Sequence, residues 1–281
     1  MKLCRFTFDG VTRIGRIDGD VVTDLSEAGA GTSMRALISE LPTTRIALES
    51  FAGQRHALTD VRLEAPIADP QKYLAIGMNY QEHAEEATAA GIAIPTSQLW
   101  FNKQVSCING PYDTIELPRV SAQLDYEAEL AFVIGTRCRH VAEADALTVI
   151  AGYMVSNDVT IRDWQLRSPT YTLGKSFDTH GPIGPWITTA DEVPDPHGLN
   201  MHLSVNGEER QRSSTGDMIY NIRQQIAYLS TVMTLEPGDV IATGTPSGVG
   251  IASRRFLKEG DIVRVEVDGL GHIENRVAAE A

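Results

Sequence analysis

Apolar positions recur along this chain with two periods. Residues 1–65 open with KLCRFTF and TRIGRIDGDVVTDL, in which apolar and polar side chains alternate on either side of the turn Asp18-Gly19-Asp20. Alternation of period two marks strands, and the spacing in the following SMRALISEL marks a helix, so a small strand-and-helix module is predicted here. APIADPQKY, with Pro66 and Pro70, reads as a linker or lead-in strand. From Tyr73 onward short β-like runs succeed one another: YLAIGMNY, CINGPYDTIEL, YEAELAFVIG, GYMVSND, GPWITT, LNMHLSVNGE, DVIATGT and DIVRVEVDG. Gly, Pro and Asp punctuate them. One clear helix is predicted from Asp217 to about Thr234. Asp217 would be its N-cap, and Ile219, Ile222, Ile226, Leu229 and Met233 trace one face. A short helix is predicted over 143–150. Many short strands with few helices predict a mixed α+β, mainly β fold with a sandwich, barrel or rolled β-core. The predicted division is a small N-terminal domain over 1–69 and a larger domain over 70–281.

Composition narrows the partners. The 281 residues are enough for a sizeable core, and the net charge of −13 argues against nucleic acid or an anionic membrane as the main partner. Cys4, Cys107 and Cys138 are far apart and form no paired motif. A disulfide framework or zinc site is not expected, and a reducing, cytoplasmic compartment is. MKLCRFTFDG lacks the apolar run of a signal peptide, and no stretch approaches the roughly 20 apolar residues of a membrane helix.

The chemistry begins at LDYEAELAFVIG, residues 124–135. In a strand, Glu127, Glu129, Ala131 and Val133 share one face, and Tyr126, Ala128, Leu130, Phe132 and Ile134 the other. Same-face neighbours lie about 7 Å apart, so the two carboxylates can converge on one ion. The alternative is an edge strand with a solvated polar face. Against it, Ala131 and Val133 continue the glutamate face as apolar. Two buried carboxylates repel one another unless a cation is present. Oxygen ligands without nearby Cys or His pairs point to Mg²⁺ or Mn²⁺, with Ca²⁺ a third option. Asp158, at the end of GYMVSND, is a candidate third ligand or the N-cap of the next turn, TIRDWQLR. On such a turn Asp158, Arg162 and Gln165 would lie on one side.

Other polar groups carry weaker signals. In NYQEHAEEA, His83 and Glu86 are helical neighbours that suit a general base with its orienting acid, or else a decorated surface helix. The small residues of TAAGIAIPTSQ would suit a mobile segment over a site. In GKSFDTHGPIGPW, Lys175 could stabilise an oxyanion or be a surface loop lysine. GTPSGVG lacks the GK[ST] of a phosphate loop. Its backbone N–H groups and the Thr245 hydroxyl could approach a carboxylate.

Taken in order, NYQEHAEE, DYEAELAFVIG, GYMVSNDVTIRDWQ, GKSFDTHGPIGPW, VNGEERQRSST and LEPGDVIATGTPSGVG resemble the fumarylacetoacetate hydrolase family, over roughly residues 70–270. The resemblance is to its smaller bacterial members, which act on acylpyruvates and related 2-oxo acids. It implies a β-roll catalytic core, a small N-terminal domain and a homodimer. It implies that Glu127, Glu129 and Asp158 bind the metal and that His83 and Glu86 form an acid/base pair on a lid. It implies that Lys175 meets the substrate oxygens, with Arg162, Gln165 and Thr245 on the substrate carboxylate or oxo group. The expected reaction is C–C hydrolysis of a 2,4-dioxo acid, such as fumarylpyruvate or a sugar-derived diketo acid, to pyruvate and a carboxylic acid. The same site would also suit oxaloacetate decarboxylation, or hydration or isomerisation of an unsaturated 2-oxo acid. Such chemistry belongs to aromatic or sugar catabolism. A non-catalytic oxo-acid binder has no need of His83, Glu86 and Lys175 together, and a nucleotide enzyme would need a partner motif for GTPSGVG.

Overall fold

The alternating runs pair into two large sheets and a two-stranded one, Leu124–Asp125 with Thr160–Ile161. The computed structural model describes residues 1–89 and 95–281. A 12-stranded sheet has the order Arg55–Ala57, Val21–Asp24, Val11–Asp18, Lys2–Phe8, Gly181–Thr189, Ile150–Asn157, Ala128–Ile134, Val240–Ala242, Tyr73–Gly77, Leu99–Lys103. Arg62–Glu64 and Ile108–Asn109 pair off this path. A second sheet has five strands in the order Glu208–Ser214, Asn200–Val205, Ile262–Val267, Gly271–Ala279, Ile115–Leu117. Lys2–Phe8 pairs antiparallel with Gly181–Thr189, which joins the N-terminal strands to the same sheet as the rest of the chain.

Strand Ala128–Ile134 lies inside the large sheet, between Ile150–Asn157 and Val240–Ala242, and every residue in it is buried. The edge-strand alternative is thereby excluded. Its two faces enter different cores. Leu130, Phe132 and Ile134 pack with Leu203, Val263, Val265 and Ile273 of the five-stranded sheet. Ala131 and Val133 pack in the core that holds Leu37, Ile38 and Leu41 of helix Met34–Ser50. The small Ala131 and Val133 on one face and bulkier Leu130, Phe132 and Ile134 on the other are thus two interfaces of one strand.

Three helical expectations are corrected. Helix Met34–Ser50 is capped by Ser33 and runs past Pro42, because Leu48 in its last turns is buried in the core. The helix expected from Asp217 begins only at Ile222. Asn221 caps it in a capping box with Gln224, whereas Asp217 closes a short 3₁₀ turn, Thr215–Asp217, with Ser214. Ile222, Ile226 and Leu229 form its buried face, and Ile219 lies outside it. The predicted short helix is a 3₁₀ helix over Glu143–Val149. No helix of the described residues is long and apolar enough to cross a membrane.

Candidate active site

Glu129 sits in register with Ser156, and the strand Ile150–Asn157 ends one residue before Asp158. The Asp158 N–H donates to the Glu127 carbonyl oxygen at 2.9 Å, which locks the two chain segments side by side. One carboxylate oxygen from each of Glu127, Glu129 and Asp158 lies within 4.8 Å of the others, and all three side chains are buried.

Like charges at that spacing in a dry interior need compensation. Lys175 Nζ donates to Glu127 Oε2 and to Asp158 Oδ2, both at 2.7 Å. Lys103 Nζ donates to Asp158 Oδ1 at 2.7 Å and to the carbonyl oxygens of Lys175 and His180. Arg162 Nη1 lies 2.7 Å from Glu127 Oε1, and Arg162 Nε donates to Asp125 Oδ2 at 2.7 Å. Glu129 is the exception. Its one protein donor among the described residues is the Gly244 N–H, at 2.8 Å. Burial, followed by the charges of Asp158 and Glu127, pushes its carboxyl well above the usual range. Burial also acts against the Glu127 carboxylate, but Lys175 and Arg162 outweigh it and hold that group below its ordinary value.

This imbalance is the test of a metal. The cluster is short of positive charge at Glu129, and its donors are hard carboxylate oxygens with no thiolate or imidazole among them. A divalent oxygen-preferring cation fits that set better than zinc, which favours thiolate and imidazole.

The glycine-rich loop after strand Val240–Ala242 serves carboxylates, but they are the protein's own. Gly244 N–H donates to Glu129, Gly248 N–H to Glu86 Oε1 at 3.1 Å, and Gly250 N–H to Asp125 Oδ1 at 2.7 Å. Gly248 has φ +96°, and a Cβ there would lie 2.1 Å from the Arg210 carbonyl oxygen, so only glycine fits.

His83 and Glu86 lie on helix Gln81–Ala89, with His83 Nδ1 3.3 Å from Glu86 Oε2. When Nδ1 donates to that carboxylate, Nε2 is left as the acceptor. The helix is held to the glycine loop by Gly248 N–H on Glu86 and by Ser247 Oγ on Glu82 Oε2 at 2.8 Å. The segment expected to be mobile lies partly outside the described residues, at positions 90–94.

His83 and Glu86 line the same cleft as Glu127, Arg162, Gln165, Lys175 and Thr245, while Glu129 and Asp158 are fully buried. Thr245 Oγ1 accepts from Gln211 Nε2 at 2.9 Å, so its own hydroxyl proton remains free to donate. Arg162 Nη1 donates to Gln165 Oε1 at 3.0 Å, which leaves the Gln165 amide as a donor. The Arg162 Nη2 group has no acceptor among the described residues.

Asp158, Arg162 and Gln165 do not share one helical turn. Thr160–Ile161 is a short strand paired with Leu124–Asp125, and the helix covers only Arg162–Gln165, with Ile161 at its N-cap. Asp158 is therefore not a helix cap. Sequence reasoning also missed Lys103, Asp125 and Gln211. Asp125 was visible as the first of three acids at every second position, Asp125, Glu127 and Glu129. Lys103 and Gln211 carried no such signal, since only tertiary contact shows that they are buried.

Two family models cover almost the whole chain: "Fumarylacetoacetate (FAA) hydrolase C-terminal" matches residues 72–278 and "Rv2993c-like, N-terminal" matches residues 1–66. A relative from Burkholderia ambifaria, whose name assigns hydrolysis only provisionally, is 44% identical over 276 residues, 96% of each chain. Maleylpyruvate hydrolase from Sphingobium sp. SYK-6, solved with manganese(II) and pyruvate, is 35% identical over 100% of both chains, with a TM-score of 0.85. A 5-carboxymethyl-2-hydroxymuconate delta-isomerase structure from Mycobacterium smegmatis is 35% identical over 100% of both chains, with a TM-score of 0.82.

Proposed function

The chain belongs to the fumarylacetoacetate hydrolase family, and we propose that it hydrolyses the C3–C4 bond of a 2,4-dioxo acid to pyruvate and a carboxylic acid. The observation that carries this reading is that Glu127, the member of the Glu127–Glu129–Asp158 cluster that lines the cleft, shares it with the His83–Glu86 pair, while Glu129 and Asp158 lie buried behind it. Glu127, Glu129 and Asp158 would hold Mg²⁺ or Mn²⁺, which when bound supplies Lewis-acid stabilisation of negative charge on the 2-oxo acid oxygens. The manganese and pyruvate in the Sphingobium enzyme support both the ion and the product half.

The protein's own groups perform the remaining steps. Arg162, Gln165 and Thr245 orient the 1-carboxylate and 2-oxo group through the donors left free by their internal contacts. His83 Nε2 takes a proton from a water molecule, and the Glu86 carboxylate stabilises the imidazolium that forms. The resulting hydroxide adds to the 4-carbonyl. Lys175 has two N–H bonds engaged by Glu127 and Asp158, and its third donates to the developing oxyanion. The C3–C4 bond then breaks, its electron pair passes to C3 as the enolate of pyruvate, and the proton held by His83 is delivered to C3.

The delta-isomerase likeness favours one second reading. In it, the same dyad moves a proton between carbons of an unsaturated 2-oxo acid without consuming water. The experiment follows the ultraviolet enol band of a panel of acylpyruvates with Mg²⁺, with Mn²⁺ and with EDTA, and analyses the products. Metal-dependent loss of the band with pyruvate and a carboxylic acid formed establishes hydrolysis. Isomerised product with no pyruvate establishes the second reading, and CO₂ release from oxaloacetate would point to decarboxylation instead.

A further inference from the structure

The cations of the cleft are paired with carboxylates of the protein, and the donors they have left serve the 2-oxo acid head and the oxyanion in the proposed reaction. Arg162 serves Asp125 and Glu127, and Lys175 serves Glu127 and Asp158. His83, the third basic group, faces Glu86. The rest of the lining includes Met78, Phe101, Leu166, Val249, Ile251 and Ala252 and, among the described residues, brings no further cation. Leu166 leaves 59% of its surface exposed at this cleft, an apolar side chain with nothing described packed over it. Glu82 and Glu86, on the helix beside the glycine loop, add negative charge on that side.

A substrate with a second carboxylate at its acyl end would therefore bring that charge against an apolar wall with no partner for it. An unpaired charge loses its hydration there and gains nothing in exchange. An alkyl or aryl tail would instead cover Met78, Leu166 and Ile251. We infer that the cleft selects 2,4-dioxo acids whose acyl group is uncharged and apolar, and discriminates against dicarboxylic substrates. The inference rests on the proposed reading of the site as one for 2-oxo acids, and it separates this chain from the substrate named for the Sphingobium relative, which carries a carboxylate at each end.

The test reads binding as well as turnover. 2-Oxohexanoate and 2-oxoadipate have six carbons each and differ at the far end, a methyl group against a carboxylate. Calorimetric titration of the full-length protein with each, in the presence of Mn²⁺, should show 2-oxohexanoate bound at least about tenfold more tightly. Among neutral acylpyruvates, kcat/KM should rise about fourfold for each methylene added until the wall is covered. Ala252→Lys, at an exposed position of the wall, and Met78→Lys should each narrow or reverse the preference. Equal or tighter binding of 2-oxoadipate to the unaltered protein would overturn the inference, as would a preference unmoved by either lysine. Preference for 2-oxohexanoate in protein that cleaves no acylpyruvate would remove the proposed reaction and keep the inference. Fumarylpyruvate cleaved with a higher kcat/KM than butanoylpyruvate would keep the reaction and remove the inference. Failure to bind either 2-oxo acid would remove both.

Discussion

The Lys103 ammonium group lies 2.7 Å from Asp158 Oδ1, and neither side chain has any exposure to solvent. Burial opposes the charge on Lys103, but the surrounding negative groups, led by the Asp158 carboxylate, together more than offset it and raise the lysine above its ordinary value. The same ammonium group donates to the carbonyl oxygens of Lys175 and His180, so one buried cation ties three chain segments to one carboxylate.

Removing that cation should be costly. Lys103→Met leaves Asp158 with one of its two ammonium partners and strands two carbonyl groups, and should lower unfolding stability by about 3–5 kcal/mol. Denaturant unfolding of Lys103→Met, Asp158→Asn and the double variant checks this. The double variant should lose less than the sum of the singles, since each single change abandons a charge that the other removes. Lys103→Met as stable as the parent protein would show that the pair is not the clamp described.

Glu129→Gln should separate two properties. The carboxyl there is crowded by Asp158 and Glu127 and lacks a cationic partner of its own. A neutral amide of the same shape relieves that crowding in metal-free protein and can still accept from Gly244. Thermal melts should show metal-free Glu129→Gln no less stable than the parent, while titration with Mn²⁺ shows affinity reduced by more than about a hundredfold. Undiminished Mn²⁺ affinity would take Glu129 out of the site.

His83→Ala should leave metal binding intact and lower kcat by about 10²–10⁴. Glu86→Gln should produce a smaller loss, because it removes the stabiliser of the imidazolium and not the base itself. Steady-state kinetics beside Mn²⁺ titration tests both, and an unchanged kcat in His83→Ala would remove the dyad from the chemistry.

His180, joined to Asp158 through Lys103, gives a pH prediction of its own. Burial holds its imidazole down at about 4, with the Glu116 carbonyl oxygen 2.8 Å from Nε2 and the Lys103 charge nearby. The unfolded chain would protonate this residue near pH 6.5. Between those values the unfolded state binds more protons, so stability rises with pH and is lost as pH falls from about 6.5 towards 4. The whole window is worth roughly 3 kcal/mol. Unfolding free energies at pH 4.5 and 7 should differ less in His180→Gln than in the parent, and an equal difference in both would show that His180 is not the group responsible.

Local periodicity fixed much of this protein. The alternation in YEAELAFVIG predicted a strand with two distinct faces, which forms over Ala128–Ile134 and leaves Glu127 just before it. The apolar continuation of the glutamate face by Ala131 and Val133 was enough to put two carboxylates in the interior, and the spacing of His83 and Glu86 was enough to pair them on a helix. Helix ends were less legible. Asp217 and Asn221 are both good caps, and the choice fell to Asn221 because Ile222, Ile226 and Leu229 face the core from there.

The tertiary structure alone decided which charges meet. Lys103, Asp158 and Lys175 are separated by 55 and 17 residues along the chain, and nothing local in LWFNK distinguishes a buried clamp from a surface lysine. Likewise the glycine loop was legible as a source of backbone N–H groups, yet its partners proved to be Glu129, Glu86 and Asp125, residues brought to it by tertiary contact from a neighbouring strand, a helix and a separate strand pair. Periodicity is set by backbone geometry within a few residues, whereas the balance of buried charge depends on which strands lie side by side. The first is written in the order of the amino acids, and the second exists only once the sheet has closed around the site.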